Sequence, residues 1–115
     1  MAAHLALCWP WLAKANPEVG RDLLAERLGS QRAQLWPGEG GALVTELIDT
    51  PEGRYLHVWL GGGRLRALLD MRAGLEAWGR QQGCDFASIR GRKGWDRVFA
   101  RFGYRRVGDE LVKGL

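Results

Sequence analysis

Cysteine and histidine, from which disulfides, metal sites and many catalytic centres are built, are scarce in this chain. Its 115 residues hold two of each, and Cys8 and Cys84 show no CxxC spacing. A disulfide framework or a zinc site is therefore not predicted, and we expect no bound metal. Reduced thiols in a cytoplasmic compartment are the expected state of both cysteines.

Long apolar runs are also missing. The apolar stretch at residues 5–9 is short, is followed at once by Pro10, and is not preceded by a basic segment. We therefore expect neither a secretory leader nor a membrane-spanning helix. Internal repeats, low-complexity tracts and long linkers are absent as well. The length and the apolar fraction of 46% predict a single domain over residues 1–115, with residues 1–16 as an N-terminal helical extension.

Most of the positively charged side chains in this sequence are arginines. Basic residues outnumber acidic ones by 17 to 13, and fourteen of the seventeen are arginine. Arginine favours contact with phosphates, nucleic acid or acidic proteins. An arginine-biased genome explains the same excess, so both interpretations stay open.

The pattern of apolar residues and turn residues predicts the order α, α, β, β, β, α, β, α, β. Asn16-Pro17-Glu18 is typical of a helix start, and Leu23, Leu24 and Leu28 are expected to point inward from that helix. Three glycines, Gly61 to Gly63, are expected to break the chain before a long helix. Strands are predicted at residues 32–36, 42–49, 54–60, 84–90 and 104–113, and helices at 3–15, 64–82 and around Trp95.

The segment around Trp95 is the most informative stretch. Trp95, Val98, Phe99 and Phe102 follow the i, i+3, i+4, i+7 spacing of a helix with one buried face. Gly103 then stands where a left-handed C-cap is expected. This one segment therefore predicts a helix, its C-terminal cap and the start of the next strand.

This order of elements resembles the Gcn5-related N-acetyltransferase (GNAT) superfamily over about residues 17–113. In that family, Gly-Phe often closes the last helix, and here Gly103-Tyr104 takes its place. Within that superfamily, the chain most resembles small GNAT-like proteins encoded by tailed bacteriophages. The segments that carry this resemblance are Gln34-Leu35-Trp36, Val44-Thr45-Glu46, Gly83-Cys84 and Gly91-Arg92-x-Gly94-Trp95. The resemblance implies an α/β (α+β) fold: a mixed, mostly antiparallel sheet of about five strands flanked by four helices. It also implies acetyl-coenzyme A or a related acyl-CoA as cofactor.

Two departures from the family pattern bear on activity. Phe99 occupies the position where many members place the tyrosine that protonates the departing thiolate, and phenylalanine has no proton to give. The glycines of the diphosphate loop also come earlier than usual, before the helix rather than inside its first turn. Arg92 likewise stands where asparagine is frequent.

The glycine-rich turn is nevertheless the predicted cofactor site. Residues without Cβ atoms let successive N–H groups converge on an anion, and a helix N-terminus adds partial positive charge. A flexible turn with solvated arginines is the competing interpretation. The residues predicted to hold the diphosphate are Gly61, Gly62, Gly63, Arg64, Leu65 and Arg66.

Three side chains are candidates for proton transfer. His57 has an ordinary pKa in the useful range, Glu46 lies on the neighbouring strand, and Tyr104 is the phenol nearest to the missing one. Each also has a structural interpretation, since a histidine between apolar strand residues is commonly held by one hydrogen bond.

Two functions of different classes remain open. The first is a small acyltransferase-like protein that binds an acyl-CoA and an amine acceptor, with N-acetyltransferase activity weakened or lost. The second is a catalytically inactive, phage-encoded protein of this fold that serves as a virion or assembly component or binds a host protein; its location is then the host cytoplasm or the virion. Nucleic-acid binding through the C-terminal arginines is a third, less favoured interpretation, and self-association is left open.

Overall fold

The structure is a computed structural model that describes residues 2–13, 19–90 and 93–115. Its helices are α1 (Ala2–Leu12), α2 (Arg21–Gly29), α3 (Leu65–Gln81) and α4 (Asp96–Ala100), with a 3₁₀ turn at Lys93–Trp95. Its strands are β1 (Ala33–Gly38), β2 (Gly41–Thr50), β3 (Gly53–Gly63), β4 (Phe86–Ile89), β5 (Arg105–Val107) and β6 (Glu110–Gly114). The predicted helix start at Asn16-Pro17-Glu18 lies outside the described residues.

The strands form one mixed sheet in the order β1-β2-β3-β4-β6-β5. Only β3 and β4 run parallel, and α3 connects them as the sequence predicts. The expected mostly antiparallel sheet is therefore confirmed, but it has six strands rather than five. The predicted strand 104–113 is a hairpin, because Gly108, with φ +63°, and Asp109 form a two-residue turn between β5 and β6.

Apolar side chains pack on both faces of the sheet. One core lies under α3 and α4 and includes Leu56, Val58 and Phe99. The other lies under α1 and α2 and includes Leu12 and Leu60. The N-terminal helix thus contributes to a core, and it runs through Pro10 without a break. Among the described residues, no helix has the length and apolar character needed to cross a membrane.

A β-bulge in β3 explains how one strand supplies both cores. Val44 lies opposite Leu60 and Thr45 lies opposite Val58, so Trp59 is an extra residue in the β2–β3 ladder. Side chains two apart on a regular strand share a face, and the extra residue moves Leu60 to the face opposite Val58. The bulge therefore sets which half of β3 faces α3 and which half faces α1.

Three local predictions are wrong. Leu23 is 40% exposed rather than turned inward, whereas Leu24 and Leu28 are buried. The strand predicted at residues 32–36 extends to Gly38, because β1 is an edge strand in which the missing N–H of Pro37 is tolerated.

The triple glycine does not break the chain either. β3 continues to Gly63, and Gly61, Gly62 and Gly63 lie opposite Leu43, Ala42 and Gly41 of β2. A Cβ on Gly62 would lie 2.0 Å from the backbone oxygen of Trp11, so glycine is required there by the close approach of α1.

A buried carboxylate joins α3 to the C-terminal hairpin. Glu76 is 3% exposed and accepts hydrogen bonds from Lys113 Nζ (2.7 Å), Arg72 Nη1 (3.0 Å) and Tyr104 Oη (2.9 Å). Burial alone would raise the pKa of Glu76, but these three donors together hold it below its ordinary value. The cluster remains charged at neutral pH and ties the helix to β6.

Removing the charge of Glu76 is expected to destabilise the fold. Glu76→Gln leaves the half-buried Lys113 and Arg72 without an anion, and we expect the free energy of unfolding to fall by about 3 kcal/mol. Urea titration with circular dichroism measures it, and Glu26→Gln on an exposed face of α2 is the matched control, expected to change it by less than about 0.5 kcal/mol. The stabilisation by Glu76 should also disappear as pH falls below about 4.3, through the lowered pKa. Equal stability of both variants at pH 7 would contradict the role of this cluster.

Replacing Gly62 tests the contact between α1 and β3. Gly62→Ala places a methyl group against the Trp11 backbone, and we expect a loss of about 2 kcal/mol in the free energy of unfolding. Gly74→Ala is the control, because nothing lies within 4 Å of the added Cβ and alanine favours helix, so stability should rise slightly. An unchanged melting temperature in Gly62→Ala would show that α1 does not pack there.

Candidate functional site

The parallel strand β4 covers only part of its longer neighbour β3. The two pair between residues 55–58 and 86–89, and Val58–Ile89 is the last pair. β4 ends there, whereas β3 continues over residues 59–63 with no β4 residue opposite it. The unpaired part of β3 begins at the bulged Trp59, and a bulge bends and twists a strand more strongly than regular pairing does.

A pocket, here called the slot, lies beside the end of β4 and is partly open to solvent. Its cavity volume is about 50 Å³. Its walls are mainly apolar and come from β2, β3, α3, β4 and α4. The apolar side chains of the slot are Leu43, Val58, Leu68, Leu75, Ile89, Trp95 and Phe99. Arg72, Arg90, Tyr104, Trp59 and Gly61 complete the lining.

The N-terminus of α3 lies at the end of β3 that carries the glycines. Arg64 is the N-cap residue, with no side-chain cap from a described residue, and its N–H donates to the Gly40 oxygen at 2.9 Å. The following N–H groups of the first turn have no acceptor within the helix. Arg66 is exposed and pairs with Asp70 at 3.5 Å. Of the residues predicted to hold a diphosphate, the three glycines are in the sheet, while Arg64, Leu65 and Arg66 are at the helix end.

His57 lies on the other face of the sheet, beside the end of β4. Its Nδ1 is 2.8 Å from Ser88 Oγ and 3.6 Å from Glu110 Oε1. Burial lowers the pKa of His57, although the charges of Glu110 and Glu46 act in the opposite direction. The imidazole is therefore neutral at pH 7 and can accept a proton.

A groove with a volume of about 340 Å³, largely open to solvent, surrounds this histidine. Two carboxylates stand in it, and its remaining side chains come from β2, β3 and β4. The groove residues are Ile48, Thr50, Glu52, Tyr55, His57, Ser88 and Glu110. Because His57 and Ser88 directly precede Val58 and Ile89, the groove and the slot meet at the same point of the sheet from opposite faces.

Glu46, the second predicted proton acceptor, is already paired. It lies opposite His57 in the β2–β3 ladder, but its Oε2 accepts from Arg27 Nη1 at 3.0 Å. The Arg27 guanidinium also lies 5.1 Å from the ring centroid of Trp59. The structure thus brings Glu46 next to His57 and gives it a structural partner on α2.

Tyr104, the third candidate, lines the slot, but its hydroxyl proton is already donated to another side chain. The side chain is buried and its hydroxyl donates to Glu76. Burial, together with the charge of Glu76, raises the pKa of Tyr104 well above its ordinary value. Phe99 packs edge-on against the Tyr104 ring at 5.5 Å and also faces the slot, so the position expected for the proton donor is at the slot but has no hydroxyl.

Sequence reasoning missed Arg72, Ser88, Glu110 and the bulge at Trp59. Two of these left a signal: Arg72 stands four residues before Glu76 on a predicted helix, and Ser88 is a polar residue in a short apolar strand. Glu110 and the bulge left none, because both depend on contacts between strands distant in sequence.

Comparison with known proteins returned no matching family model, no match among the curated proteins and no matching solved structure.

The burial of His57 predicts the pH at which its imidazole titrates. NMR of the imidazole should give a midpoint below the ordinary value of about 6.5 in the folded protein, and stability should fall as pH drops below that value. Glu110→Gln should lower the midpoint further, because the Glu110 charge favours the protonated ring. Glu52→Gln, a groove carboxylate farther from the ring, is the control and should leave the midpoint unchanged. A midpoint above 6.5 in the wild type would contradict a buried, neutral imidazole.

Proposed function

We propose that this chain is a small acyl-CoA-binding protein of the GNAT type, with the slot beside the end of β4 as the site of the acyl thioester. The observation that carries the proposal is the end of β3–β4 pairing at Val58–Ile89, at a bulge of β3, beside a pocket lined by the helix that connects the two strands. The mainly apolar lining of this pocket favours the methyl and methylene groups of an acyl chain. The resemblance of the element order to that superfamily supports the same assignment.

The diphosphate of the coenzyme would be held by the first turn of α3. Leu65 and Arg66 present backbone N–H groups there, and the guanidinium groups of Arg64 and Arg66 add charge-assisted hydrogen bonds. The three glycines contribute differently from the original expectation: they keep β3 and β2 in register where α1 and Gly40 approach closely.

Bound acyl-CoA would supply a thioester carbonyl for attack by an amine. His57 would take the proton from an amine that approaches from the groove, on the face of the sheet opposite the slot, because burial keeps its ring neutral and Ser88 fixes its orientation. Backbone N–H groups of β3 near the bulge would polarise the carbonyl. Phe99 has no proton for the departing thiolate, and Tyr104 shares its own with Glu76, so transfer would rely on proximity and be slow.

The second candidate is a catalytically inactive, phage-type protein of the same fold that acts in a virion or binds a host protein. The missing hydroxyl at Phe99 favours it. So do the exposed apolar side chains on the N-terminal helices: Leu7 (74% exposed), Trp11 (37%) and Leu23 (40%).

Coenzyme binding tests the first candidate against the second. Isothermal titration with acetyl-CoA and coenzyme A should show one site, and millimolar coenzyme A should raise the melting temperature. Arg66→Glu should weaken binding about tenfold or more, because a charge-assisted hydrogen bond becomes a repulsion. Arg21→Glu, an equally basic site on α2, should stay within about twofold of wild type. A folded protein with no heat of binding and no thermal shift would remove the acyl-CoA proposal and leave the second candidate.

A further inference from the structure

Arg72 is the arginine of α3 that lines the slot. One of its guanidinium nitrogens has no hydrogen-bond acceptor among the described residues. Its Nη1 donates to Glu76, and the ring of Phe102 lies 4.0 Å from its Cζ. Its Nε is buried, and no described residue accepts a hydrogen bond from it. A buried donor without an acceptor is unfavourable, so the surroundings of this guanidinium favour a ligand that brings an acceptor.

Charge in this region is also unbalanced. Glu76 is the only carboxylate in its cluster and is shared by Arg72 and Lys113, with the Tyr104 hydroxyl as a third donor. One positive charge therefore remains uncompensated among these described residues. Arg90 adds a second basic side chain to the slot lining, which includes no acidic residue.

The rest of the lining around Arg72 is apolar. Leu68 and Leu75 lie one turn before and after it on α3, and Ile89 faces them from β4. Such walls favour methylene groups, whereas a lone guanidinium among them favours an anion. A short chain of methylenes that ends in a carboxylate satisfies both.

On this basis, and resting on the proposed acyl-CoA function, we propose that the slot selects acyl groups that end in a carboxylate, such as succinyl, and that Arg72 binds this carboxylate. Glu76 then has a second role: its hydrogen bond with Nη1 fixes the orientation of the Arg72 guanidinium at the slot. The acyl group is thereby distinguished from a neutral one by charge rather than by size.

Binding of three thioesters distinguishes the effect of the acyl group's charge from the effect of its shape. Isothermal titration of the full chain compares acetyl-CoA, succinyl-CoA and 4-methylpentanoyl-CoA, which has the branched shape of succinyl without its charge. We expect succinyl-CoA to bind at least about tenfold more tightly than 4-methylpentanoyl-CoA, as a charged hydrogen bond requires. Arg72→Gln should reduce this ratio to within about twofold while affinity for free coenzyme A is kept. Arg80→Gln, on the same helix but outside the slot, should preserve the ratio.

The outcomes are distinguishable. If coenzyme A binds but succinyl-CoA has no advantage in the wild type, the inference about Arg72 is overturned and the proposed function stands. If neither free coenzyme A nor any of the thioesters binds, the inference about Arg72 and the proposed function are both overturned. Should Arg72→Gln fail to fold, the wild-type ratio still decides, and Arg72→Lys, which keeps a cation beside Glu76 but lacks Nε, replaces it as the variant.

Discussion

Where one of two parallel strands ends and its partner runs on, the longer strand exposes backbone and side chains that a continuous sheet would hide. In this chain β4 ends at Ile89, opposite Val58, and the extra residue Trp59 follows at once on β3. The same bulge sends Val58 to the core under α3 and Leu60 to the core under α1. The slot, the division of the core and the position of His57 all depend on this one irregularity.

The back wall of the slot is held by a polar cluster rather than by apolar packing alone. Glu76 binds Lys113, Arg72 and Tyr104, so α3, β6 and the segment after α4 are fixed relative to one another. Buried ion pairs of this kind add little net stability compared with apolar replacements, but losing one member is costly. The cluster also engages the Tyr104 hydroxyl, which donates its proton to Glu76.

Much of the fold followed from local rules. The βαβ unit and the bounds of α3 were predictable from hydrophobic spacing, and Gly103 adopts the expected left-handed cap with φ +93°. The glycines at 61–63 were misread because their cause is tertiary: the Trp11 backbone and the Gly40–Gly41 turn approach them closely. A three-glycine run looks the same to sequence rules whether it is a loop or a crowded strand.

The candidate site was only partly predictable for the same reason. His57 and Glu46 were found because of their chemistry and their strand positions, whereas the partners that decide their roles, Ser88, Glu110 and Arg27, come from other elements. Tyr104 lines the slot, but its hydrogen bond to Glu76 joins residues 28 positions apart, and no local pattern indicates it. Residue type pointed to the chemistry, and long-range packing determined which groups are free to perform it.

The central claim is that the slot beside the end of β4 binds an acyl-CoA. Amide NMR spectra recorded during titration with coenzyme A test it most directly. The account predicts that shifts concentrate on Trp59, Gly61, Leu65, Arg66 and Ile89, with α1 and the β5–β6 turn unchanged. Shifts confined to α1 and α2, or none at millimolar ligand, would contradict it.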